Sequence, residues 1–435
     1  MRATKKTLAV AAIAVACALF SATAPAAAAT PGTWSTPVSV SVAGQIAENQ
    51  QIVTDGTTIT TTWQQYDGAD YRVHASSSTD GGATWSTPSI VSEAGEDAYN
   101  PQVATDGTRI TLTWQRYDVS LITRIQTSSS IDGGVNWSPP VTVSDTGGGE
   151  YRPQVVTDGT TITIAWRGYD GMYDVIQTSS SINGGTTWSL PVNLSDTGED
   201  ADDPQVVTDG TTITTTWQRS DGSNDRIQAS SSINGGTTWS TPVTLSGVGQ
   251  DALDPQVATD GTTITTTWNI YDGSNDRIQA SSSINDGTTW STPVILSGGD
   301  AYEPQVVTDG TTITITWSRY DGTTEGIQAA SSADGGITWS TPVDLSDASW
   351  NATEPQVATD GTTITITWQL DEGSIDRIQA SSSIAATPAP APQAELANTG
   401  GASNFGAGVL AGGLLLGGLV VLGLSARHRQ ISTRN

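Results

Sequence analysis

The amino-acid sequence predicts an all-β fold, a seven-bladed β-propeller with four antiparallel strands in each blade, in which the N-terminal strand closes the last blade. Three features of the 435 residues predict it. A unit of about 51 residues is repeated seven times, apolar and polar residues alternate within the unit, and one unit is divided between the two ends of the repeat region. Repeats of this size are typical of solenoids, propellers and arrays.

Two tryptophans mark each unit. The first is found at Trp63, Trp114, Trp166, Trp217, Trp268, Trp317 and Trp368. The second is found at Trp34, Trp85, Trp137, Trp188, Trp239, Trp290 and Trp339. The repeat pattern starts in mid-unit at residues 32–41 and stops in mid-unit at residues 377–384. A linear array has no need of this division, but in a ring the two partial units complete one blade. We therefore expect residues 34–41 to form the fourth strand of the last blade.

Each unit contains four segments with the period-two alternation of β-strands. In representative copies these segments read PQVVTD, TTITITW, DRIQASSS and TWSTPVTLS. In the second segment, Ile313, Ile315 and Trp317 share one face and threonines the other, and such residues suit a pleated sheet. Four short antiparallel strands per unit are typical of a propeller blade. A unit of this length is small for an independent sandwich domain with its own core.

An Asp-Gly pair joins the first two strands of every unit. The pairs begin at Asp55, Asp106, Asp158, Asp209, Asp260, Asp309 and Asp360. Asp-Gly between alternating segments is a strong hairpin signal, because a type I′ turn requires positive φ at both of its central residues. We therefore expect type I′ turns with Asp and Gly at the centre.

The sequence divides into four parts. Residues 1–29 have a basic start, an apolar run and an alanine-rich end, as in a secretory signal peptide. Residues 30–384 form the propeller, residues 385–395 are a Pro/Ala linker, and residues 396–435 form a C-terminal signal. The single cysteine, Cys17, lies in the signal peptide, so we expect no disulfide in the mature protein.

The C-terminal signal combines a pentapeptide, an apolar segment at residues 405–424 and a basic tail. The pentapeptide is Leu396, Ala397, Asn398, Thr399 and Gly400. This order resembles the Leu-Pro-x-Thr-Gly sorting signal of Gram-positive cell-wall proteins, with Ala397 in place of the usual Pro. The resemblance implies that a sortase cuts between Thr399 and Gly400 and links the protein covalently to peptidoglycan. The expected location is secreted and anchored to the cell wall, with a transmembrane segment before processing; an ordinary membrane anchor is the alternative.

The charge of the exported part is strongly negative. All 44 acidic residues lie between residues 30 and 400, where only 11 arginines and no lysines occur. Such a field repels nucleic acid and anionic membranes, so we predict no nucleic-acid partner. Acidity of this kind suits a soluble extracellular surface.

A second motif, Ser-x-Asp-x-Gly-x-Thr-Trp, lies between the third and fourth strands. Its acidic or amide residue and its tryptophan are Asp80 and Trp85, Asp132 and Trp137, Asn183 and Trp188, Asn234 and Trp239, Asn285 and Trp290, and Asp334 and Trp339. The motif resembles the Asp-box, or BNR repeat, of sialidase-like propellers. Asn replaces Asp in three copies, which keeps an acceptor oxygen and removes the charge. This exchange favours a structural role in the hairpin over a role as an acid or a metal ligand.

The resemblance to sialidases implies a catalytic set of three arginines that clamp a carboxylate, a tyrosine nucleophile with a glutamate, and an aspartate acid/base. Only Tyr151 and Arg152 echo the first arginine motif, and they are weak catalytic candidates. The other units have acidic or amide residues at the position of Arg152. Nearly identical blades also provide identical groups, whereas an active site on a ring axis needs different ones. We therefore assign no catalytic residue and lean towards a protein that is not an enzyme.

Two further kinds of site are considered. Tyrosines beside aspartates recur on one loop and are candidates for weak sugar binding, one site per blade: Tyr66 and Asp67, Tyr117 and Asp118, Tyr169 and Asp170, Tyr271 and Asp272, and Tyr320 and Asp321.

No metal site is assigned, and no cofactor is expected. Calcium is a minor alternative at Asp221, Ser223 and Asp225 and in the equivalent loop of the next unit, although the pattern lacks the later residues of an EF-hand. His74 is interpreted as a strand-surface residue.

The favoured function is a wall-anchored, non-catalytic propeller that binds a glycan or a surface protein. An exo-α-sialidase or related glycoside hydrolase is the first alternative. A passive structural protein of the cell surface is the second.

Overall fold

A computed structural model describes residues 38–384, except for residues 43, 119, 121, 145, 146, 348, 360, 362 and 372–375. The predicted signal peptide, Trp34, the predicted linker and sorting signal, and the apolar segment at residues 405–424 lie outside the described residues. Within the described part, no helix is long and apolar enough to cross a membrane.

The described chain forms seven antiparallel sheets in sequence order, which confirms the predicted seven-bladed β-propeller. We number the blades from 1 to 7 along the chain. The first strands are Ala47–Thr54, Ala98–Thr105, Tyr151–Thr157, Ala201–Thr208, Ala252–Thr259, Asp300–Thr308 and Asn351–Thr359. The second strands are Ile59–Tyr66, Ile110–Tyr117, Ile162–Tyr169, Ile213–Ser220, Ile264–Tyr271, Ile313–Tyr320 and Thr363–Asp371.

The third strands complete the main part of each blade. They are Tyr71–Ser78, Thr123–Ser130, Asp174–Ser181, Asp225–Ser232, Asp276–Ser283, Glu325–Ser332 and Asp376–Ile384. The fourth strands are Ser89–Ile90, Val141–Thr142, Val192–Asn193, Val243–Thr244, Val294–Ile295 and Val343–Asp344. Each fourth strand is therefore only two residues long, much shorter than the predicted segment TWSTPVTLS. The proline just before it has no N–H group to donate to a ladder, which limits the pairing to a short stretch.

The turn between the first two strands differs from the predicted type I′ turn. In blade 1, the N–H of Asp55 donates to the carbonyl oxygen of Thr58 (3.1 Å), so Gly56 and Thr57 are the central residues. Only Gly56 has positive φ, at 87°. Oδ1 of Asp55 accepts the N–H groups of Thr57 and Thr58 at 2.8 and 2.7 Å. The aspartate therefore caps the turn from its first position, which moves the centre of the turn by one residue.

The hydrophobic core lies between consecutive blades. The cluster between blades 1 and 2, for example, contains Val73 of blade 1 together with Val103 and Trp114 of blade 2. The first tryptophan of each unit is buried in all seven blades. The threonine face of the second strand is buried as well, because a neighbouring blade covers it. In each blade, one hydroxyl group on this face forms a hydrogen bond with a serine of the third strand, as between Oγ1 of Thr214 and Oγ of Ser231 (2.8 Å).

His74 is buried in the core rather than exposed on a strand surface, so its sequence interpretation was wrong. Its side chain is 4% exposed, and its ring stacks on Trp63 with centroids 5.8 Å apart. Seven of the eight residues in this third strand, Tyr71–Ser78, are buried, so the strand has no free surface.

The closure of the ring by the N-terminal strand remains a prediction. Residues 38–41 form no strand, and the sheet of blade 7 has three strands among the described residues. Ile52 in blade 1 is 58% exposed, whereas Val103 at the equivalent position of blade 2 is 1% exposed. Ile378 in blade 7 is 74% exposed, whereas Ile327 of blade 6 is fully buried. The two ends of the blade series therefore present apolar side chains at positions that are covered in the other blades.

Candidate ligand-binding face

The loops after the second strands and the loops between blades lie together at one end of the strands, which we call the loop face. In blade 1, the N–H of Tyr71 donates to Oδ1 of Asp97 in the following interblade loop (2.8 Å). In blade 4, the N–H of Asp225 donates in the same way to Asp251 (3.0 Å). Many of the acidic residues on this face therefore have a structural role, because they accept the N–H group that opens a third strand.

Each first strand contains a β-bulge whose central residue has a left-handed conformation. These bulge residues, with φ between 51° and 54°, are Asn49, Asn100, Arg152, Asp203, Asp254, Glu303 and Glu354. The strand register shifts at the same place in every blade, as between Asp202 and Gln205 in blade 4. Positive φ is costly for residues other than glycine, and bulges re-aim side chains at functional sites. The bulge residues are the ones that sequence comparison between blades placed opposite Arg152.

The bulge residues connect neighbouring blades. Nδ2 of Asn49 donates to Oδ1 of Asn100 in the next blade (3.1 Å). The N–H of Glu354 donates to Oε2 of Glu303 in the preceding blade (3.1 Å). The first strands thus hold a row of polar side chains that runs from blade to blade on the loop face.

Arg152 is the only cation in this row, and acidic groups already surround its guanidinium. Nη1 of Arg152 forms ion pairs with Asp203 and, at 3.2 Å, with Asp202. Asp202 also pairs with Arg167 (3.4 Å), whose guanidinium lies 4.6 Å from the ring centre of Tyr151. A carboxylate ligand at Arg152 would have to compete with two carboxylates that belong to blade 4. This arrangement differs from a guanidinium held ready to clamp an anionic sugar.

The neighbourhood of Arg152 contains groups that sequence reasoning missed. Glu150 is 1% exposed, and its Oε2 accepts Nε1–H of Trp166 at 2.5 Å. Asp174 pairs with Arg167 (3.4 Å), and burial raises the pKa of its carboxyl above the ordinary value. These residues come together because the first three strands of blade 3 pair side by side. The one signal in the sequence was that Glu150, Tyr151 and Arg152 depart from the pattern of the other units.

The predicted Tyr-Asp pairs separate into two roles. The aspartates cap the turns that follow them: Oδ1 of Asp272, for example, accepts the N–H groups of Ser274 and Asn275, both at 2.9 Å. Its Oδ2 accepts Nε–H of Arg277 at 2.8 Å, and this bond, with the two backbone bonds, lowers the pKa of Asp272 to about 2. Asp67, Asp118, Asp170 and Asp321 make equivalent turn bonds. The main contacts of these carboxylates are therefore hydrogen bonds that stabilise their own loops.

The tyrosines of these pairs are the accessible part. Tyr66, Tyr169, Tyr271 and Tyr320 are exposed, and Tyr117 is half-buried. An accessible phenol ring combines an apolar face with a polar end, which suits contact with a sugar. Whether they bind a ligand stays a prediction.

The calcium alternative gains no geometric support. Oδ1 of Asp221 accepts the N–H groups of Ser223 (3.0 Å) and Asn224 (2.8 Å), and its Oδ2 pairs with Arg226 (3.2 Å). Within the described ranges, no group of three or more His, Cys, Asp or Glu side chains is arranged to hold a metal ion.

The Asp-boxes lie at the opposite end of the strands, beside the Asp-Gly turns. Oδ1 of Asp80 accepts the hydroxyl of Ser78 (2.8 Å) and the N–H of Thr84 (2.9 Å). Nε1–H of Trp85 donates to the carbonyl oxygen of Gly82 (3.1 Å). In blade 3, Nδ2 of Asn183 donates to the hydroxyl of Thr187 (2.7 Å). The hydrogen bond between the box residue and the threonine hydroxyl therefore runs in the opposite direction from the one in blade 1, and the turn is retained. The observed contacts of these residues are structural.

A cavity of about 380 Å³ also lies at this end, between blades 1 and 2. It is lined by two Asp-Gly turns and by the Asp-box of blade 2, including Asp55, Thr108 and Asp132. Oδ1 of both aspartates is already engaged within its own turn. The loop face therefore offers the richer set of accessible groups.

Comparison with known proteins identifies the fold and no family. No family model matches the sequence, and no curated protein matches it. Among solved structures, an ulvan lyase, described as a new family of polysaccharide lyase, matches with 11% identity and a TM-score of 0.52, covering 77% of this chain and 93% of that one. A Hadza microbial sialidase matches with 16% identity and a TM-score of 0.42, covering 62% of this chain and 63% of that one.

An α-L-arabinofuranosidase from Fusarium graminearum matches with 15% identity and a TM-score of 0.42, covering 66% of this chain and 93% of that one. The match to the ulvan lyase supports the propeller architecture that the seven sheets define. At 11% identity it shows the fold alone.

Proposed function

We propose that this protein is a non-catalytic, glycan-binding propeller displayed on the cell surface. The observation that carries the proposal is the state of Arg152: the one arginine that echoes a sialidase motif is committed to Asp202 and Asp203. The accessible groups of the loop face are instead tyrosine rings and turn-capped carboxylates. The ulvan lyase of similar fold is a polysaccharide lyase, which is compatible with a propeller surface that contacts saccharides.

The proposed location rests on the ends of the sequence. A secretory signal at residues 1–29 and a sorting signal at residues 396–435 would deliver the propeller to the outside and link Thr399 to peptidoglycan through a sortase. Thr399→Ala is expected to prevent this linkage. The wild-type protein would then leave isolated cell walls only after digestion of the peptidoglycan, whereas hot detergent would extract the variant. Extraction of the wild type by detergent alone would contradict the proposal and favour an ordinary membrane anchor.

The function is tested with the purified protein in two assays, turnover of a fluorogenic sialoside and binding to a glycan array. We expect no turnover and selective binding. Turnover that Arg152→Ala abolishes and Arg277→Ala leaves intact would contradict the proposal and establish the sialidase alternative. Arg277 is the matched control, because it also pairs with an aspartate of its own loop and lies in blade 5. Absence of binding to every glycan would favour a passive surface protein.

A further inference from the structure

A row of tyrosine rings crosses blades 1–3 on the loop face. We call it the tyrosine stripe, and it consists of Tyr66, Tyr71, Tyr99, Tyr117 and Tyr151. The ring centres of Tyr66 and Tyr71 are 5.3 Å apart, those of Tyr71 and Tyr99 are 5.1 Å apart, and those of Tyr99 and Tyr117 are 5.5 Å apart. Tyr151 follows in blade 3, close enough to Tyr117 for their side chains to interact. The guanidinium of Arg167 lies over the far end of the stripe, 4.6 Å from the ring centre of Tyr151.

The stripe exists because three strand positions carry tyrosine in neighbouring blades. Tyr66 and Tyr71 are cross-strand partners at the end of blade 1, and Tyr99 lies at the start of the first strand of blade 2. The position equivalent to Tyr71 is occupied in blades 2–6 by Thr123, Asp174, Asp225, Asp276 and Glu325. No other series of ring contacts occurs in the part of the chain that the structure describes. The stripe therefore breaks the near-identity of the blades.

The rings are held firmly and remain partly accessible. Tyr66, at one end, is 36% exposed, and its hydroxyl donates to the carbonyl oxygen of Gly68 (3.0 Å). Tyr71, Tyr99, Tyr117 and Tyr151 are half-buried. Half-buried aromatic rings with few free torsions give contact area at a small cost in conformational entropy.

The charges around the stripe select among ligands. Asp67 and Asp97 lie beside its blade 1 end, where Asp97 interacts with the hydroxyl of Tyr99. The neighbouring guanidinium groups of Arg72 and Arg116 already pair with Asp67 and Glu96. Arg167 pairs with Asp174 and Asp202, both at 3.4 Å. An anionic saccharide would meet unfavourable potential here, whereas a neutral one would place its C–H faces on the rings and its hydroxyl groups near carboxylates.

We propose that the tyrosine stripe is a single extended binding site for a neutral, linear oligosaccharide, spanning blades 1–3. The inference rests on the proposed glycan-binding function and replaces the separate weak sites at the five Tyr-Asp pairs with one continuous platform. Several adjacent rings can engage successive sugar units of one chain, which favours a long oligosaccharide over a monosaccharide.

The test is calorimetric titration of the purified protein with neutral β-1,4-linked hexasaccharides of glucose, mannose and N-acetylglucosamine, and with a galacturonate hexamer as the anionic probe. We expect at least one neutral hexasaccharide to bind and the anionic one to bind at least about tenfold more weakly. Tyr99→Ala is expected to weaken binding about tenfold, while Tyr99→Phe retains it within about threefold, because stacking needs the ring and not the hydroxyl.

Tyr302→Ala is the matched control, because Tyr302 is at the same strand position in blade 6 and outside the stripe. It is expected to bind like the wild type. If Tyr99→Ala does not fold, Tyr66→Ala replaces it, since Tyr66 is the exposed end of the stripe.

Unchanged binding by both Tyr99→Ala and Tyr66→Ala, or equal loss in Tyr302→Ala, would overturn the inference and leave the proposed function standing. Tight binding of the anionic hexamer would also overturn it. Binding of a proline-rich peptide to the stripe, with no saccharide binding there, would assign the rings to a protein partner instead. A wild-type protein that binds no glycan on the array or in solution would overturn both proposals together.

Discussion

At the scale of single residues, the residue type at a repeated position goes together with the residues that it contacts. The third-strand position of His74 carries glutamine in the other blades. In blades 3, 5 and 7 this glutamine accepts a hydrogen bond from the tryptophan of the second strand, as between Trp268 and Gln279 (3.2 Å). In blade 1, Nε1–H of Trp63 donates instead to Oε1 of Gln65 (2.7 Å), and His74 stacks on the indole. The exchange leaves a titratable group in the core.

This burial predicts a specific pH dependence. Burial, with a contribution from Arg72, lowers the pKa of His74 from its ordinary 6.5 to about 4. Between these two values the unfolded chain binds a proton that the folded chain does not, so this part of the stability is complete above pH 6.5 and is lost as the pH falls towards 4. Relative to His74→Gln, the wild type is expected to lose about 3 kcal/mol of unfolding free energy between pH 7 and pH 4.

The measurement is denaturant unfolding of both proteins at pH 7, 5.5 and 4. The comparison with His74→Gln cancels the titration of the many carboxylates that the two proteins share. Parallel loss of stability in the two proteins would show that the pKa of His74 is not lowered in the folded protein.

At the scale of elements, the first strand is the least regular part of the blade. Its bulge residue has positive φ, and in six blades it precedes a proline, a context that normally favours extended backbone. No sequence rule for strands predicts this conformation. The bulge places polar side chains of neighbouring blades beside each other, as with Asn49 and Asn100 and with Arg152 and Asp203.

Substitutions at the bulge are expected to follow backbone conformation rather than strand propensity. At Glu354, φ is 54°, so Glu354→Val is expected to destabilise the fold by about 1–2 kcal/mol, while Glu354→Gly stays within about 0.5 kcal/mol of the wild type. Glu325, in the extended third strand of blade 6, is the control, and there Val is expected to be tolerated better than Gly. Thermal melts of the four variants give the order. The same order at both positions would refute a left-handed conformation at Glu354.

At the scale of the whole molecule, the two ends of the blade series are complementary. In blades 1 and 2, Val73 on the third strand and Val103 on the next first strand belong to one core cluster. Ile378 in blade 7 and Ile52 in blade 1 hold the same two positions and are exposed. A ring that closes would bring them together as in every other pair of blades.

Closure therefore predicts that Ile52→Ala destabilises the protein by about 2–5 kcal/mol, as a buried large-to-small change does. Val103→Ala, in a packed position of blade 2, is the reference for a buried site. Trp34→Ala, outside the described residues, is expected to cost roughly 3–5 kcal/mol if residues 34–41 complete blade 7. Denaturant unfolding measures all three. An effect of Ile52→Ala within about 0.5 kcal/mol would mean that this face remains in solvent.

The features set by local sequence were predictable, and those set by contacts between blades were not. The seven units, the strand alternation and the Asp-box hairpins depend on residues within one unit, so the sequence alone predicted the fold and assigned the Asp-boxes to the hairpin. Two local features were nevertheless predicted wrongly. The fourth strand is shorter than predicted because a proline precedes it. The turn between the first two strands is shifted by one residue because its aspartate caps it.

The properties of the loop face were decided by tertiary structure. Arg152 and Asp203 are 51 positions apart, in different blades, and only their packing neutralises the one arginine that resembled a catalytic group. Tyr71 and Tyr99 likewise form one surface only because blades 1 and 2 lie side by side. Near-identity of the units predicted a symmetric surface. The few residues that differ between units meet across blade boundaries, where a single repeat read in isolation contains no information about its neighbour.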